Sequence, residues 1–359
     1  MMNVAFITRS TLYRVPGGDT VQIVQTAKQL GLMGIDVEIL LSNQRIDYEK
    51  YSLLHFFNIT RPADIRYHSK KAKKPFVVST ILCNYTEYDK HHRKGLGALF
   101  AYLPADSIEY VKTMARWLLG KDHLSSISYA WKGQKKSIIE ILQHAAVILP
   151  NSESEYQRVE KNYLSPLNCI VVPNGINPGT FQYNSGVQKD GHLVLCVARI
   201  EGIKNQLNLI KALNNTEYQL LIIGAPAPNQ ADYYNECRHI AGDNVSFINH
   251  LPPDDLVAYY ERAKVHVLPS WFETTGLSSI EAAVMGCNIV ITDKGDTREY
   301  FENNAFYCDP SVPESIRHAI ENASSAPINE PFRQKILSTY TWEHAAIQTL
   351  KAYQLAATA

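Results

Sequence analysis

The sequence predicts an α/β protein made of two doubly wound domains in tandem. Three observations carry that prediction. Short apolar runs alternate with segments of helical period along the chain. The alternation breaks once, near residues 176–190, where Pro178, Gly179, Gly186 and Gly191 cluster. And 359 residues are too many for one ordinary core but comfortable for two of average size. The domains are set at residues 1–178 and 179–341, followed by a last helix from Trp342.

Composition narrows the class. A hydrophobic content of 45% with 19% charged residues describes a soluble globular chain. Formal net charge is zero, yet residues 1–174 hold 22 basic against 15 acidic side chains and residues 175–359 hold 13 against 20. Two halves of opposite sign suggest two different partners. The first apolar run, Val4 to Ile7, is far shorter than a secretory core, and no segment approaches the roughly 18 apolar residues of a membrane span. The cysteines Cys83, Cys169, Cys196, Cys237, Cys287 and Cys308 form no Cys-x-x-Cys pair and read as reduced core thiols of a cytoplasmic protein. Neither His-Glu-x-x-His nor Asp-x-Asp occurs, so no metal site is expected. No nucleic-acid partner is expected either.

Asn3 to Thr8 is a buried first strand, followed by the loop Val15-Pro16-Gly17-Gly18-Asp19-Thr20. A helix then carries Val21, Val24, Ala27, Leu30 and Leu32 on one face and ends at Gly34; Val37 to Leu41 is a second strand. This strand–Gly-Gly–helix–strand unit opens a Rossmann-like domain. The amides of Gly17 and Gly18 can approach a phosphate, although a plain loop is the competing reading. The pattern is not Gly-x-Gly-x-x-Gly, which disfavours a nicotinamide or flavin dinucleotide.

Leu53 to Phe57 and Phe76 to Thr80 are further strands. Between them lie Arg61, Arg66, His68, Lys70, Lys71, Lys73 and Lys74; Lys90, His91, His92, Arg93 and Lys94 form a second basic cluster. Such clusters, with a helix over Ser107 to Leu119 bearing Trp117, point to peripheral contact with an anionic membrane face. A solvated surface is the alternative reading. Ser128 to His144 is another helix, Ala145 to Leu149 a strand, and Ser152 with Glu155 resembles a capping box. Cys169 to Val172 is the last strand before Pro173-Asn174-Gly175.

The second half repeats the alternation. His192 to Val197 is a strand, and the loop after it holds Arg199, Glu201, Gly202, Lys204 and Asn205. Two cations in such a loop sit at the carboxyl edge of a parallel sheet, where open α/β folds bind ligands. Arg199 can fork two oxygens while Lys204 is a point charge. After the strand Val265 to Leu268 comes Ser270 to Ala283, which carries Glu273 in a loop, Gly276 at a helix start and Glu281 inside that helix. Helix-end amides attract an anion, Gly276 lets it approach, and Glu281 shares a face with Leu277. The competing reading is a pair of glutamates that merely complement the helix dipole. A loop carboxylate, an anion site and a helix carboxylate together suit a ligand with hydroxyls and phosphates, such as a nucleotide sugar. Strand Asn288 to Thr292, the loop Lys294-Gly295-Asp296-Thr297 with another helix after it, two further short helices and a last helix capped by Thr341 complete the chain.

Taken in order, Val172-Pro173-Asn174-Gly175-Ile176, Ala198-Arg199 with Lys204, Glu273-x7-Glu281 containing Gly276-Leu277, Asp309-Pro310 and Tyr340-Thr341-Trp342-Glu343 resemble the retaining glycosyltransferases of family 4, glycosyl transferases group 1. The resemblance spans nearly the whole chain. It implies the GT-B architecture, two Rossmann-like domains facing each other across a cleft, with the helix 342–359 crossing back to the N-terminal domain. It implies a nucleoside-diphosphate sugar as co-substrate, no other cofactor, no metal, and a glycan or lipid-linked acceptor; the basic first domain would approach that acceptor at the inner face of the membrane.

Catalytic roles would fall to Glu273, Arg199 and Lys204. Arg199 and Lys204 would bind the diphosphate, Glu273 the sugar hydroxyls and Glu281 the ribose; Thr275, Gly276 and Leu277 would line the donor, and Gly17 and Gly18 would reach the diphosphate. Base contacts are placed near the backbone of His250 and Leu251. Two departures stand out. Many relatives have Glu-Gly-Phe-Gly where this chain has Glu273-Thr274-Thr275-Gly276, and many carry a histidine after the strand equivalent to Val77–Thr80, where this chain has none. Asn84 or Tyr85 would take over on the acceptor side; His55 and Asn58 lie beyond the previous strand, within reach of the cleft, with a core role the favoured reading for His55. The rival functions are a non-catalytic nucleotide- or glycan-binding partner subunit, a nucleotide-sugar epimerase and a phosphorylase.

Overall fold

In the computed structural model the described residues are 2–83, 87–88, 104–120, 125–164 and 168–358. They form two compact units, the first made of Met1–Asn174 with Trp342–Ala359 and the second of Gly175–Thr341. The last helix thus joins the first unit, as expected.

The first unit holds a parallel sheet of β1 (Asn3–Thr8), β2 (Asp36–Leu41), β3 (Leu53–Phe57), β4 (Phe76–Ser79) and β5 (Val147–Leu149). Their order is β2-β1-β3-β4-β5, so the winding reverses between β1 and β3. Around it lie α1 (Gly18–Leu32), α2 (Pro62–Ala72), α3 (Ala105–Leu118), α4 (Tyr129–His144) and α5 (Glu153–Asn162). Alternation along the strands decides which helix each side chain meets. Ala5, Ile7, Leu54 and Phe56 share one core with Ile65 of α2 and Ile138 and Ile141 of α4. Phe6 and His55 turn the other way, where His55 packs on Tyr353 of the C-terminal helix with ring centroids 5.7 Å apart.

Several expectations change here. The α1 face is rotated: Gln22, Ile23, Thr26 and Leu30 are buried, whereas Val21, Val24 and Leu32 are exposed. The cause is a polar anchor, since Gln22 Nε2 donates to Asn151 Oδ1 at 2.8 Å. Cys169 to Val172 makes only a single bridge to Ile148, not a strand. Ser152 does cap α5, accepting from Glu155 N at 3.0 Å, but the Glu155 carboxylate does not return to it. It is fully buried and accepts from Thr80 Oγ1, Leu82 N and Asn151 N instead. That ties down the loop after β4, where Ile81 takes a positive φ of 45°.

The second unit has six parallel strands: β6 (Asp190–Val197), β7 (Gln219–Ile223), β8 (Val245–Ile248), β9 (Ala263–Leu268), β10 (Asn288–Thr292) and β11 (Phe306–Cys308). Their order is β11-β10-β9-β6-β7-β8, and the winding reverses between β6 and β9. The helices are α6 (Gln206–Leu213), α7 (Ala231–Ile240), α8 (Pro253–Arg262), α9 (Leu277–Val284), α10 (Thr297–Phe301), α11 (Pro313–Ser325) and α12 (Glu330–Thr339), before α13 (Trp342–Thr358) returns to the first unit. The central strands β9 and β10 are buried on both faces, which explains their continuous apolar runs. All six cysteines are free thiols.

Candidate active site

The winding of the second sheet reverses between β6 and β9, and open α/β folds bind ligands outside the carboxyl ends of the strands at such a reversal. Both loops that leave those ends carry predicted site residues. The loop after β6 makes a tight turn, Gly202–Lys204, and then Asn205 adopts a left-handed conformation at φ 61°. The loop after β9 runs from Pro269 to Gly276.

Three contacts join these loops. Trp271 N donates to Ile203 O at 2.9 Å. Asn205 Nδ2 donates to Pro269 O at 3.1 Å and to Pro310 O at 2.7 Å. Lys204 Nζ meets Glu273 Oε1 at 2.5 Å. Glu273 is buried and its Oε1 also accepts from Ser270 Oγ at 2.6 Å. Burial works against the Lys204 charge, but the Glu273 carboxylate outweighs it, and the ammonium pKa is raised. Arg199 keeps 39% of its side chain exposed and pairs with Glu201 at 2.8 Å.

Glu273 is held by its backbone too. Its N–H donates to Lys294 O at 3.2 Å, and its carbonyl accepts from Asp296 N at 2.9 Å. A Cβ on Gly295 would lie 2.0 Å from that carbonyl, so only glycine fits. Gly276 starts α9 at φ 72°, a conformation that L side chains rarely adopt. Among the described residues the Leu277 and Ser278 amides make no hydrogen bond, which leaves two donors at the positive end of a helix. Thr275 is buried beside them. Glu281 follows one turn later; Tyr260 OH donates to its Oε2 at 3.2 Å, and burial pushes its carboxyl up to about 7, partly opposed by that bond. His250 and Leu251 follow β8 at the same carboxyl edge, two strands away from β6.

In the first unit Gly17 and Gly18 stand after β1, at that sheet's own reversal. The Gly17 N–H already donates to Thr20 Oγ1 at 3.0 Å, so it is not open to a phosphate. The loop is organised by Arg9, whose guanidinium donates to both oxygens of Asp19 (2.6 and 3.0 Å), to Thr11 O (3.0 Å) and to Val15 O (2.7 Å). His55 is a core residue between Tyr353 OH (2.7 Å) and Ser79 Oγ (2.9 Å), and burial lowers its pKa to about 3. Asn58 turns its side chain onto Thr60. Asn84, Tyr85 and the second basic cluster lie outside the described residues. Of the first basic run, Arg66 and His68 are buried: Arg66 pairs with Glu140, and His68 bonds to Tyr48 and to Ser42 O.

Sequence reasoning missed Asn205, Ser270, Tyr260, Gly295 and Arg9. Only Ser270, three residues before Glu273, had a local signal. The others act on partners as far as 105 residues away, or by leaving room.

The carboxyl edge of this doubly wound sheet thus carries two cations, two carboxylates and a helix start at its reversal. Residues 180–337, which lie within the second unit, match the family model for glycosyl transferases group 1. It is 26% identical to an uncharacterized glycosyltransferase of Methanocaldococcus jannaschii over 52% of this chain and 54% of that one, about half of each. It is 25% identical to a D-inositol 3-phosphate glycosyltransferase of Corynebacterium aurimucosum (78% and 75%). It is 24% identical to an N-acetylgalactosamine-N,N'-diacetylbacillosaminyl-diphospho-undecaprenol 4-alpha-N-acetylgalactosaminyltransferase of Campylobacter jejuni (82% and 83%).

In fold it resembles a sucrose-phosphate synthase of Thermosynechococcus elongatus, with a TM-score of 0.76 and 17% identity over 99% and 98% of the two chains. It also resembles Anabaena HepE, solved in complex with UDP-glucose, with a TM-score of 0.73 and 14% identity over 99% and 100%. These are likenesses of fold, and the fold is the expected GT-B class.

Proposed function

We propose that the chain moves a sugar from a nucleoside-diphosphate sugar to a hydroxyl of a glycan or lipid-linked acceptor, with retention of configuration, as a family 4 enzyme. The observation that carries this reading is the Lys204–Glu273 pair at the sheet reversal, beside the open amides of Leu277 and Ser278. In this reading Glu273 holds the sugar hydroxyls, Lys204 and Arg199 hold the diphosphate, and Glu281 takes the ribose. Negative charge grows on the departing diphosphate in the transition state, and preorganised cations and amides stabilise it without reorganising. Those same groups take the place of a metal, so activity should survive EDTA. A lipid-linked acceptor is supported by the Campylobacter relative, whose name specifies a diphospho-undecaprenol substrate.

The membrane contact falls to α3 and the start of α4. Val111, Leu118 and Leu119 are exposed with Lys112 and Arg116 beside them in sequence, and Trp131, next to Lys132, is 77% exposed. Apolar side chains flanked by lysines suit an anionic bilayer surface. Among the described residues no helix is long and apolar enough to cross a membrane. Salt-sensitive sedimentation with anionic vesicles, lost in a Trp131→Ala, Leu118→Ser variant, tests that contact.

Calorimetric titration with UDP, GDP and ADP tests the donor site. One nucleotide should bind, and Arg199→Ala should weaken it. Absence of binding by all three would overturn the reading.

A further inference from the structure

Tyr260 lies near the end of α8 and is fully buried. Both ends of the residue are fixed. Its carbonyl accepts from Lys189 Nζ at 2.7 Å and from Cys287 Sγ at 3.2 Å. Its ring meets Phe181 and His266 edge-on, with centroids 6.1 and 6.0 Å away. A position that needed only volume would be served by phenylalanine, because a buried hydroxyl costs free energy unless it is bonded. Among the described residues the Tyr260 hydroxyl makes one hydrogen bond, to Glu281 Oε2 at 3.2 Å. Glu281 Oε1 makes none, and the residue retains some exposed surface.

We propose that Tyr260 is a positioning residue of the nucleotide site: it holds one oxygen of Glu281 and leaves the other turned to the ribose hydroxyls. This rests on the reading that Glu281 is the ribose ligand.

The surroundings make that bond decisive. From β9, His266 faces the tyrosine ring, and burial lowers its pKa to about 3, so it is neutral at pH 7. Cys287, after α9, and Cys196, on β6, are pushed up by burial to about 11 and about 12, so they are neutral too. Lys189, before β6, spends its ammonium on the carbonyls of Tyr260 and Met285. α12 packs on α9 through the buried Phe332 and Ile336, while its Arg333 and Glu330 pair with each other. β10 contributes Ile289 and Ile291, neither of which titrates. The phenol is therefore the group that opposes the desolvation of the Glu281 carboxylate.

The test is titration of UDP, GDP and ADP across the neutral pH range into the unaltered protein, Tyr260→Phe and Glu281→Gln. The unaltered protein should lose affinity as the medium becomes acid. Tyr260→Phe should bind the cognate nucleotide about tenfold more weakly at neutral pH, with the pH midpoint displaced upward by about one unit. A purely structural tyrosine would lower the melting temperature and leave that midpoint alone. Should the phenylalanine variant not fold, fluorotyrosine at position 260 donates more strongly in nearly the same volume and should move the midpoint down. An unmoved midpoint, with Glu281→Gln still impaired, overturns the role of Tyr260. Unimpaired Glu281→Gln overturns the ribose assignment instead, and with it this inference.

Discussion

Lys204 and Glu273 are 69 residues apart in sequence and 2.5 Å apart in the fold. Each comes from a loop that leaves a different strand, and the strands are neighbours only because the winding reverses between them. The pair concentrates two opposite charges at the place where a sugar and a diphosphate would meet.

Lys204→Met should therefore separate two functions. Removing the ammonium should weaken nucleoside-diphosphate binding by about ten- to a hundredfold, the loss of one charge-assisted hydrogen bond. Stability should fall by about 2–3 kcal/mol, less than for a fully buried pair, because Lys204 keeps 22% of its side chain exposed. Adding Glu273→Gln should restore stability without restoring affinity. Denaturant melts and calorimetry read the two effects separately.

Glu281 makes ligand-free stability depend on pH. Its folded carboxyl titrates at about 7 against an ordinary value of 4.5, so the folded protein holds that proton more tightly than the unfolded chain. The contribution is complete below about pH 4.5 and is lost as pH rises through about 7. Glu281→Gln does not titrate. Its melting temperature should exceed that of the unaltered protein at about pH 8, and the gap should close near pH 5. A gap that stays constant with pH would place the effect elsewhere.

Gly295→Ala should disturb Glu273 from behind. The new Cβ would lie 2.0 Å from the Glu273 carbonyl oxygen at a φ of 94°. We expect a loss of about 2–3 kcal/mol and weaker sugar-nucleotide binding. Gly34→Ala is the control, since φ is 82° there with nothing within 4 Å; it should cost only the left-handed strain, about 1 kcal/mol. Equal losses in the two variants would deny the crowding at Glu273.

Tyr353→Phe should loosen the C-terminal helix from the first sheet. The tyrosine hydroxyl bonds His55 Nδ1 at 2.7 Å inside the core, and His55 stays neutral there. Leaving that nitrogen unpaired should cost about 1–3 kcal/mol. The loss should be the same at pH 6 and pH 8 in denaturant melts, because a group that titrates at about 3 carries no proton change between them.

Much of this molecule was legible in one dimension. Strands β1, β3, β4, β9 and β10 announced themselves as apolar runs because each is buried on both faces. Arg199, Lys204, Glu273 and Gly276 were legible because each lies in a loop between a strand's carboxyl end and the start of the next helix, and those loops are where a parallel sheet presents chemistry. The buried face of α1 was not, because it is chosen by Gln22 reaching Asn151, 129 residues away. Nor was the interior fate of Arg66 and His68, which looked like part of a surface charge run until Glu140, Tyr48 and Ser42 closed around them.

By itself, then, the sequence determined the alternation of strands and helices and the residue types at each strand end, both of which follow from local period and turn chemistry. Which strand ends meet was decided by the tertiary structure alone. The order β9-β6 brings Glu273 to Lys204, the packing of α8 brings Tyr260 to Glu281, and the approach of Gly295 to the Glu273 backbone holds the loop between them. These relationships depend on distances between segments far apart in the chain, and no local pattern encodes them.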